Sequence, residues 1–190
     1  MNLETIETRN LLLKALSPSD INYIFEHYTK PGIKEILGHR SEEDYQKEET
    51  KYRNGYSSYN RSFKLFLLID KISKSIIGRC GLHNWNAEHK RAEIGYVMED
   101  EVFKRKGLMT EALEAVIDYG FNQMNLHRIE ALVGSNNIPS LRLMEKYNFI
   151  KEGIAREHYY IAGKYENSVL FSKLHSEYER ENNRTTQLGA

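Results

Sequence analysis

Residues 92–111 read AEIGYVMEDEVFKRKGLMTE and are the most informative part of this chain. They predict a short strand that ends near Met98, an acidic link, a basic turn over Lys104-Arg-Lys-Gly107 and then a long amphipathic helix. The first amides of a helix have no internal partners, and the helix dipole places partial positive charge there. Because Gly107 also lets the backbone approach a ligand closely, this stretch predicts a binding site for a pyrophosphate.

The bulk properties indicate one folded domain with a small anionic ligand. The 190 residues are 40% hydrophobic and 28% charged, as in globular domains. The formal net charge is zero, so nothing favours a nucleic acid or an acidic membrane surface. The chain has no apolar run of about 18 residues, and its N-terminus is too polar and acidic for a signal peptide. We therefore expect a cytoplasmic enzyme or binding domain, with no membrane contact and no direct nucleic-acid contact.

Neither metal binding nor thiol chemistry is expected. Cys80 is the single cysteine, which predicts no intrachain disulfide and no cysteine-based metal cluster. It lies in an apolar run, which favours a buried structural thiol over a nucleophile. The seven histidines are scattered without the spacing of metal ligands.

The pattern along the chain predicts strands first, then two strand–helix units and a closing hairpin. The predicted strands cover residues 9–16, 63–69, 75–82, 91–98, 128–133, 149–153, 156–161 and 168–174. Helices are predicted from the Ser17-Pro-Ser-Asp20 start signal to a break at Pro31-Gly32, and over residues 41–53, 108–124 and 139–147. This order predicts a single mixed α+β domain over residues 1–176, and the polar segment 177–190 is expected to be a frayed tail.

Three blocks of sequence stand in a fixed order along the chain. The first covers residues 91–112, the second joins Asn137-Ile-Pro-Ser140 to residues 145–153, and the third, weaker block joins residues 7–20 to Gly163-Lys-Tyr165. Together they resemble the GNAT superfamily of acyl-CoA-dependent N-acetyltransferases, in particular the Rim-type branch, which acetylates N-terminal amines of ribosomal proteins. The resemblance implies acetyl-CoA as co-substrate. It also implies a mixed α+β, GNAT-like fold with a central, mostly antiparallel twisted sheet of about seven strands and flanking helices.

The chain departs from the family pattern at four positions. Met109 stands where the phosphate loop usually has a small residue, and Asn148 replaces a glycine in a left-handed turn, which asparagine tolerates. Many members carry a tyrosine acid where this chain has Met144, and Tyr147 is expected to face elsewhere. Asn167 replaces an acidic residue before the last strand, so an acceptor contact at this position loses its charge.

Acetyl transfer from CoA to an amine is the attack of a neutral amine on a thioester. A protein α-amine has a pKa near 7.7–8.0 and a lysine amine near 10.4, so deprotonating lysine costs roughly 3.5 kcal/mol more. An α-amine therefore needs only a weak general base. The tetrahedral intermediate needs an oxyanion donor, and the departing thiolate benefits from a nearby hydroxyl or proton.

The resemblance implies two catalytic residues. Glu93 matches the family's common base position, where it would act through a water, and the alternative is a structural carboxylate paired with Arg91 or Arg128. Ser140 matches a serine that protonates the CoA sulfur, and the alternative is a helix cap. Asn137 is expected to hydrogen-bond the pantetheine or the thioester, and its alternative role is also capping.

The resemblance also implies the binding residues. The backbone amides of Val97, Met98 and Glu99 are expected to pair with the pantetheine like an added strand. The pyrophosphate is expected to be wrapped by Lys104, Arg105, Lys106, Gly107, Leu108 and Met109. The acceptor cleft is expected to be rimmed by His83, Trp85 and Tyr59, although a lone histidine is more often structural.

Three functions stay open at the level of sequence. The leading one is acetylation of an N-terminal α-amine, with a ribosomal protein as partner and the enzyme as a monomer or homodimer. The second is acetylation of a polyamine, amino sugar or antibiotic. An acidic cleft for a polyamine, or simply a solvated helix face, is formed by Glu42, Glu43, Asp44, Glu48 and Glu49. The third function is a non-catalytic acyl-CoA-binding module.

Overall fold

The computed structural model describes residues 2–56 and 62–188, with side chains up to residue 184, and these form one sheet of eight strands flanked by six α-helices. The strands are β1 (Thr5–Glu7), β2 (Leu11–Leu16), β3 (Ser62–Asp70), β4 (Ile76–Asn86), β5 (Arg91–Met98), β6 (Arg128–Gly134), β7 (Ile150–Ile161) and β8 (Lys164–Leu174). The helices are α1 (Pro18–His27), α2 (Lys30–Leu37), α3 (Glu42–Asn54), α4 (Leu108–Asn122), α5 (Ile138–Lys146) and α6 (His175–Leu188). No described helix is long and apolar enough to cross a membrane.

The sheet is mixed and mostly antiparallel, which confirms the predicted fold class. Its strand order is β1-β2-β3-β4-β5-β6-β8-β7, and each neighbouring pair is antiparallel except β5 and β6. The sequence pattern missed β1, a three-residue edge strand beside β2. The two strands predicted at 149–153 and 156–161 are one strand, β7, whose register against β8 is irregular between Ala155 and Tyr159.

β5 and β6 separate after a short parallel contact. They pair over three residues each, up to Glu93 opposite Glu130. Beyond this contact β5 continues to Met98 and β6 to Gly134, and these described parts of the two strands do not pair with each other again. Backbone N–H and C=O groups that lose their strand partner need another one. The gap between β5 and β6 is therefore the place where the sheet can accept an extended ligand.

Helices cover both faces of the sheet. On β3, Phe66 and Leu68 pack into a core that includes α4, whereas Leu67 packs into a second core with α1, α2 and α3. Successive strand residues point to opposite faces, so this alternation places one core on each side. The apolar stripe predicted for α4 lies in the first core, where Leu113 and Val116 are fully buried.

Local signals account for the ends of the first helices. Ser17 and Asp20 form a capping box at the start of α1, as the sequence predicts. The charged helix predicted at 41–53 is α3. The predicted break at Pro31-Gly32 is wrong, because both residues belong to α2 and Pro31 lies in its first turn. A proline is tolerated there since its missing N–H would have no helical partner.

The polar segment that begins at Glu177, expected to fray, forms most of α6 instead. Tyr178 stacks on Phe121 of α4 with ring centroids 4.8 Å apart. Lys173 is only 2% exposed, and its Nζ lies 2.6 Å from Glu181 Oε2. The contact of Tyr178 with Phe121 joins residues that are distant in sequence, so the polar composition of the segment does not reveal it.

Replacing Tyr178 with alanine should lower the free energy of unfolding by about 2 kcal/mol, because it removes an aromatic pair and a partly buried side chain. The melting temperature of a chain of this size should then fall by about 4–8 °C in a thermal unfolding experiment. Tyr165→Ala is the control, because Tyr165 is 65% exposed and surface substitutions change stability by about 0.5 kcal/mol or less. Equal effects of the two substitutions would show that α6 does not stabilise the domain.

Candidate active site

α4 begins immediately after the basic turn. Gly107 is its N-cap residue, with a φ of 80° in the left-handed region, and no described side chain caps the helix. The first helical hydrogen bond runs from Glu111 N to the Gly107 carbonyl at 3.0 Å, so the preceding amides of the first turn have no helical partner. A Cβ at Gly107 would meet no atom within 4 Å, so the turn is open toward a ligand. This is the geometry of a helix N-terminus that can bind an anion.

A cavity of about 660 Å³, here called the loop cavity, extends from this turn to the start of α5. The residues predicted from sequence that line it are Val97, Met98, Lys104, Arg105, Gly107, Leu108, Met109, Asn137 and Ser140. Two other predicted residues have different partners: Lys106 lies over the ring of Phe103, and Glu99 pairs with Arg79. The loop cavity therefore brings together β5, the basic turn and α5, as expected for one bound cofactor.

The unpaired edge of β5 borders the loop cavity. The Glu99 N–H donates to the Ile77 carbonyl at 3.0 Å, on the β4 side. Hydrogen-bonding groups alternate between the two edges of a strand, so those of Val97 also point to β4 and those of Tyr96 and Met98 point to the gap. Of the three amides predicted to bind pantetheine, the structure thus leaves that of Met98 for a ligand.

Ser140 and Tyr96 bring two hydroxyl groups together in the loop cavity. Asn137 Oδ1 accepts a hydrogen bond from Ser140 N at 3.3 Å, so Asn137 is the cap of α5 and Ser140 is not. Burial raises the pKa of Tyr96 against a smaller opposite effect of the Ser140 hydroxyl, so the phenol is protonated at neutral pH. The phenol oxygen is buried without a hydrogen bond of ordinary geometry to any described residue. The sequence carries no signal for this position, because a tyrosine in a strand is typical of ordinary packing.

A second cavity of about 410 Å³, here called the α3 cavity, lies between α3 and the strands β3, β4 and β5. It shares Tyr96 and Val97 with the loop cavity, so ligands in the two cavities can meet at β5. The polar side chains of the α3 cavity belong to Glu48, Lys51, Tyr56, Lys64, Arg79, His83 and Tyr96.

The acidic face of α3 contributes one carboxylate to the described lining of the α3 cavity. Glu48 is buried, and it accepts a hydrogen bond from Tyr56 Oη at 2.8 Å and pairs with Lys51 Nζ at 3.2 Å. The other acidic residues have partners of their own: Glu42 with Lys30, Glu43 with Lys47, Asp44 with Ser41, and Glu49 with Arg53. Most of this helix face is therefore a paired, solvated surface, and Glu48 is the exception.

Glu93 of β5 lies opposite His83 of β4. Its Oε1 is 3.2 Å from His83 Nε2, and its Oε2 accepts a hydrogen bond from Asn84 Nδ2 at 2.9 Å. Burial opposes ionisation, but the interactions with His83 and Asn84 and the charge of His158 outweigh it and lower the pKa of Glu93. The site thus holds a half-buried, ionised carboxylate against an imidazole.

The two arginines considered as alternative partners of Glu93 pair elsewhere. Arg91 and Arg128 lie 3.2 Å and 2.8 Å from the carboxylate of Glu130. Arg128 also donates to Glu152, and this hydrogen bond lowers the pKa of Glu152 to about 2. Neither arginine is therefore the ion-pair partner of Glu93.

Of the residues predicted to rim an acceptor cleft, His83 and Trp85 do not line one cavity. His83 lines the α3 cavity, and its ring lies across Gly95, where an added Cβ would come 2.8 Å from His83 Cε1. Trp85 packs against the core that includes α4 and is not among the described residues that line either cavity. Tyr59 falls outside the described residues.

Other residues singled out by the sequence have structural roles. Cys80 is fully buried, and burial raises the pKa of its thiol, so it is not a nucleophile. Tyr147 Oη donates to the Thr110 carbonyl at 2.5 Å, and Asn167 Oδ1 accepts the Glu157 amide at 2.8 Å. No group of three or more potential metal ligands is found in the part of the chain that the structure describes.

The fold is that of an acyl-CoA-dependent acyltransferase, and its two cavities border the same strand, β5. Residues 10–150 match the family model described as acetyltransferase (GNAT) domain, and the chain belongs to this family. It is an acetyl-CoA-dependent N-acetyltransferase. The family, the fold and the reaction predicted from the sequence are therefore confirmed.

Two relatives and one solved structure show how far the similarity reaches. The chain is 31% identical over 178 residues to the uncharacterized N-acetyltransferase p20 of Bacillus licheniformis, covering 93% of this chain and 99% of p20. It is 35% identical over 107 residues to YdaF of Bacillus subtilis, which carries a provisional ribosomal N-acetyltransferase name, covering 56% and 58% of the two chains. The crystal structure of the spermidine/spermine N-acetyltransferase SpeG from Vibrio cholerae, in complex with manganese ions, has a TM-score of 0.68 at 25% identity and covers 90% and 96% of the two chains. The similarity alone does not distinguish an N-terminal amine from a polyamine.

Proposed function

We propose that this enzyme acetylates the α-amine at the N-terminus of a protein, with a ribosomal protein as the expected partner. The observation that carries the proposal is the charge of the α3 cavity, whose described lining sets Lys51, Lys64 and Arg79 against one carboxylate, Glu48. Lys51 pairs with Glu48, and Lys64 and Arg79 pair with carboxylates outside the lining. The described lining therefore has no unpaired carboxylate to hold the further charges of a polycation, but it accepts a peptide end that carries at most one charge. The cytoplasmic location and the monomeric or homodimeric state remain predictions.

The electrostatics of Glu93 support the same acceptor. A carboxylate whose pKa lies below its ordinary value is a weak proton acceptor. An α-amine with a pKa near 7.7–8.0 is partly neutral at physiological pH, whereas an amine near 10.4 is almost fully protonated. The Glu93 carboxylate therefore does not supply the strong base that a fully protonated amine would need.

Acetyl-CoA is proposed to lie in the loop cavity. Its pyrophosphate would bind the first-turn amides of α4 beside Gly107, and its pantetheine would follow the unpaired edge of β5 at Met98. Its thioester would then reach Tyr96, where the two cavities meet. In this placement the hydroxyls of Ser140 and Tyr96 are the proton donors for the departing thiolate.

A polyamine is the second candidate acceptor. It is favoured by the buried carboxylate of Glu48 in the α3 cavity, and by the similarity of the chain to SpeG, a spermidine/spermine N-acetyltransferase. An amine with two or more charges would have to compete with Lys51 and Tyr56 for that carboxylate.

A panel of amines with acetyl-CoA tests the proposal. The panel contains peptides with free N-termini, the same peptides with a blocked N-terminus and an internal lysine, spermidine, and an aminoglycoside. We expect the highest kcat/KM for the free N-terminal peptides, measured by CoA release, with the modified nitrogen located by mass spectrometry. A preference for spermidine would support the second candidate, and tight acetyl-CoA binding without turnover on any amine would contradict both.

Ser140→Ala should lower kcat about 10- to 1,000-fold and leave the KM for acetyl-CoA nearly unchanged, since proton donation acts only in the transition state. Tyr96→Phe tests the partner hydroxyl. If the two hydroxyls act as one unit, the double variant should be no slower than the slower single variant. A lower melting temperature of Ser140→Ala with unaltered turnover would show that Ser140 only supports α5.

A further inference from the structure

We propose that His83 is the general base of this acetyl transfer and that Glu93 is a positioning residue that orients it. The inference rests on the proposed binding of the acceptor amine in the α3 cavity. The sequence places the base at Glu93. The structure instead joins Glu93 and His83 in one pair, and only His83 is among the described residues that line that cavity.

His83 and Glu93 differ in how accessible they are to an amine in the α3 cavity. The Glu93 side chain is 14% exposed, and both of its oxygens are engaged, one by His83 and one by Asn84. The His83 side chain is 46% exposed and borders the α3 cavity. A general base must come within about 2.6–3.2 Å of the atom that loses the proton. The imidazole can meet this condition, whereas the Glu93 carboxylate has both oxygens engaged and is not among the described residues that line the cavity.

The surroundings of His83 also decide which ring nitrogen accepts the proton. Nε2 faces Glu93 Oε1 at 3.2 Å, so in the neutral ring this nitrogen carries the hydrogen. Nδ1 has no hydrogen-bond partner among the described residues and keeps its lone pair for the acceptor. The ring lies so close to Gly95 that a side chain at this position would displace it, because a Cβ would be 2.8 Å from Cε1.

Charges from several elements surround the pair. The titratable groups that border the α3 cavity with His83 are Glu48, Lys51 and Tyr56 near α3, Lys64 of β3, Arg79 of β4 and Tyr96 of β5. His158 and Tyr159 of β7 interact with Glu93. Together with His83 and Asn84, His158 keeps the carboxylate ionised. An ionised carboxylate behind an imidazole stabilises the imidazolium that forms when the ring takes a proton.

The proposed step balances without any further reactant. The amine nitrogen attacks the thioester carbonyl carbon, a C–N bond forms, and the amine proton passes to Nδ1 of His83. The oxyanion then re-forms the carbonyl as the C–S bond breaks, and the electron pair of that bond leaves on sulfur. The thiolate takes a proton from the Ser140 and Tyr96 hydroxyls, which regain it from solvent, and His83 returns its proton to solvent. The products are the N-acetyl amine and the CoA thiol.

The test is the turnover of His83→Ala with and without added imidazole, on the best amine acceptor of the wild-type enzyme. We expect kcat to fall about 100-fold or more, while acetyl-CoA affinity and melting temperature stay at their wild-type values. Imidazole should restore turnover on the order of tenfold in a saturable manner, because it can occupy the vacated space beside Gly95. His27→Ala at the end of α1 is the control, and should be neither slowed nor rescued.

His83→Gln provides a second variant that separates chemistry from structure. Glutamine can hydrogen-bond to Glu93 but accepts no proton at neutral pH, so it should be as slow as the alanine variant. Turnover of His83→Ala within about threefold of the wild type, or full activity of His83→Gln, would overturn the inference. If the wild type acetylates spermidine and not the peptides, the proposed acceptor fails, and the same test on spermidine still decides the role of His83.

Discussion

Replacing Gly107 with valine is expected to weaken acetyl-CoA binding about 100-fold, which corresponds to about 2.7 kcal/mol of binding free energy. Gly107 has a φ of 80°, and the space that a Cβ would enter is open. The proposed pyrophosphate needs this space to reach the first-turn amides of α4. Valine would block the approach and would also strain the turn, because a left-handed backbone costs a residue with a side chain about 1–2 kcal/mol.

Gly163, in the turn between β7 and β8, provides a matched control. Its φ is 85°, and a Cβ there also meets no atom within 4 Å. Gly163→Val carries the same backbone strain, so both variants should lose about 1–2 kcal/mol of stability and about 2–8 °C of melting temperature. In titration calorimetry, the loss of acetyl-CoA affinity should be confined to Gly107→Val. Equal affinities of the two folded variants would place the pyrophosphate elsewhere.

Glu93→Gln is expected to lower kcat about 100- to 1,000-fold and to leave acetyl-CoA affinity unchanged. The amide oxygen of glutamine can still accept the hydrogen of His83 Nε2, so the ring keeps its position. The amide is neutral, however, and does not stabilise the imidazolium formed by proton transfer. The loss should become smaller as the pH rises, because a larger share of the acceptor amine is then already neutral.

The recovery of Glu93→Gln at higher pH reports the class of acceptor. An α-amine becomes neutral in solution as the pH rises past about 7.7–8.0, so turnover on a peptide N-terminus should then recover in part. Turnover on a lysine-like amine should need a pH near 10.4. A variant whose pH–rate profile matches that of the wild type would remove Glu93 from the mechanism.

The contribution of the Glu93 carboxylate to folding stability changes in a lower pH range than the turnover rates of the wild type and Glu93→Gln. Because folding lowers the pKa of Glu93, its ionised form stabilises the folded state fully above the unfolded-state pKa of about 4.3. This stabilisation is lost as the pH falls through the lower folded value. The carboxylate therefore adds no pH dependence to stability near neutral pH, where the rates are compared, and thermal melts at each pH check this.

The sequence by itself determined the features that depend on neighbouring residues. The open turn before α4 follows from Gly107 and the helix that starts at the next residue, and both are local signals. The cap at Asn137 and the capping box at Ser17 follow in the same way, because a cap involves residues within three positions. The order of strands and helices was enough to predict the mixed fold class.

Only the tertiary structure decided which side chains meet. His83 reaches Glu93 because β4 and β5 pair in a particular register, and a slip of one residue would move Glu93 to the opposite face of the sheet. Glu48 of α3 lines the α3 cavity together with His83. Tyr178, near the C-terminal end of the chain, stacks on Phe121 of α4. Register and helix docking are set by the packing of whole faces, and no short stretch of sequence contains that information.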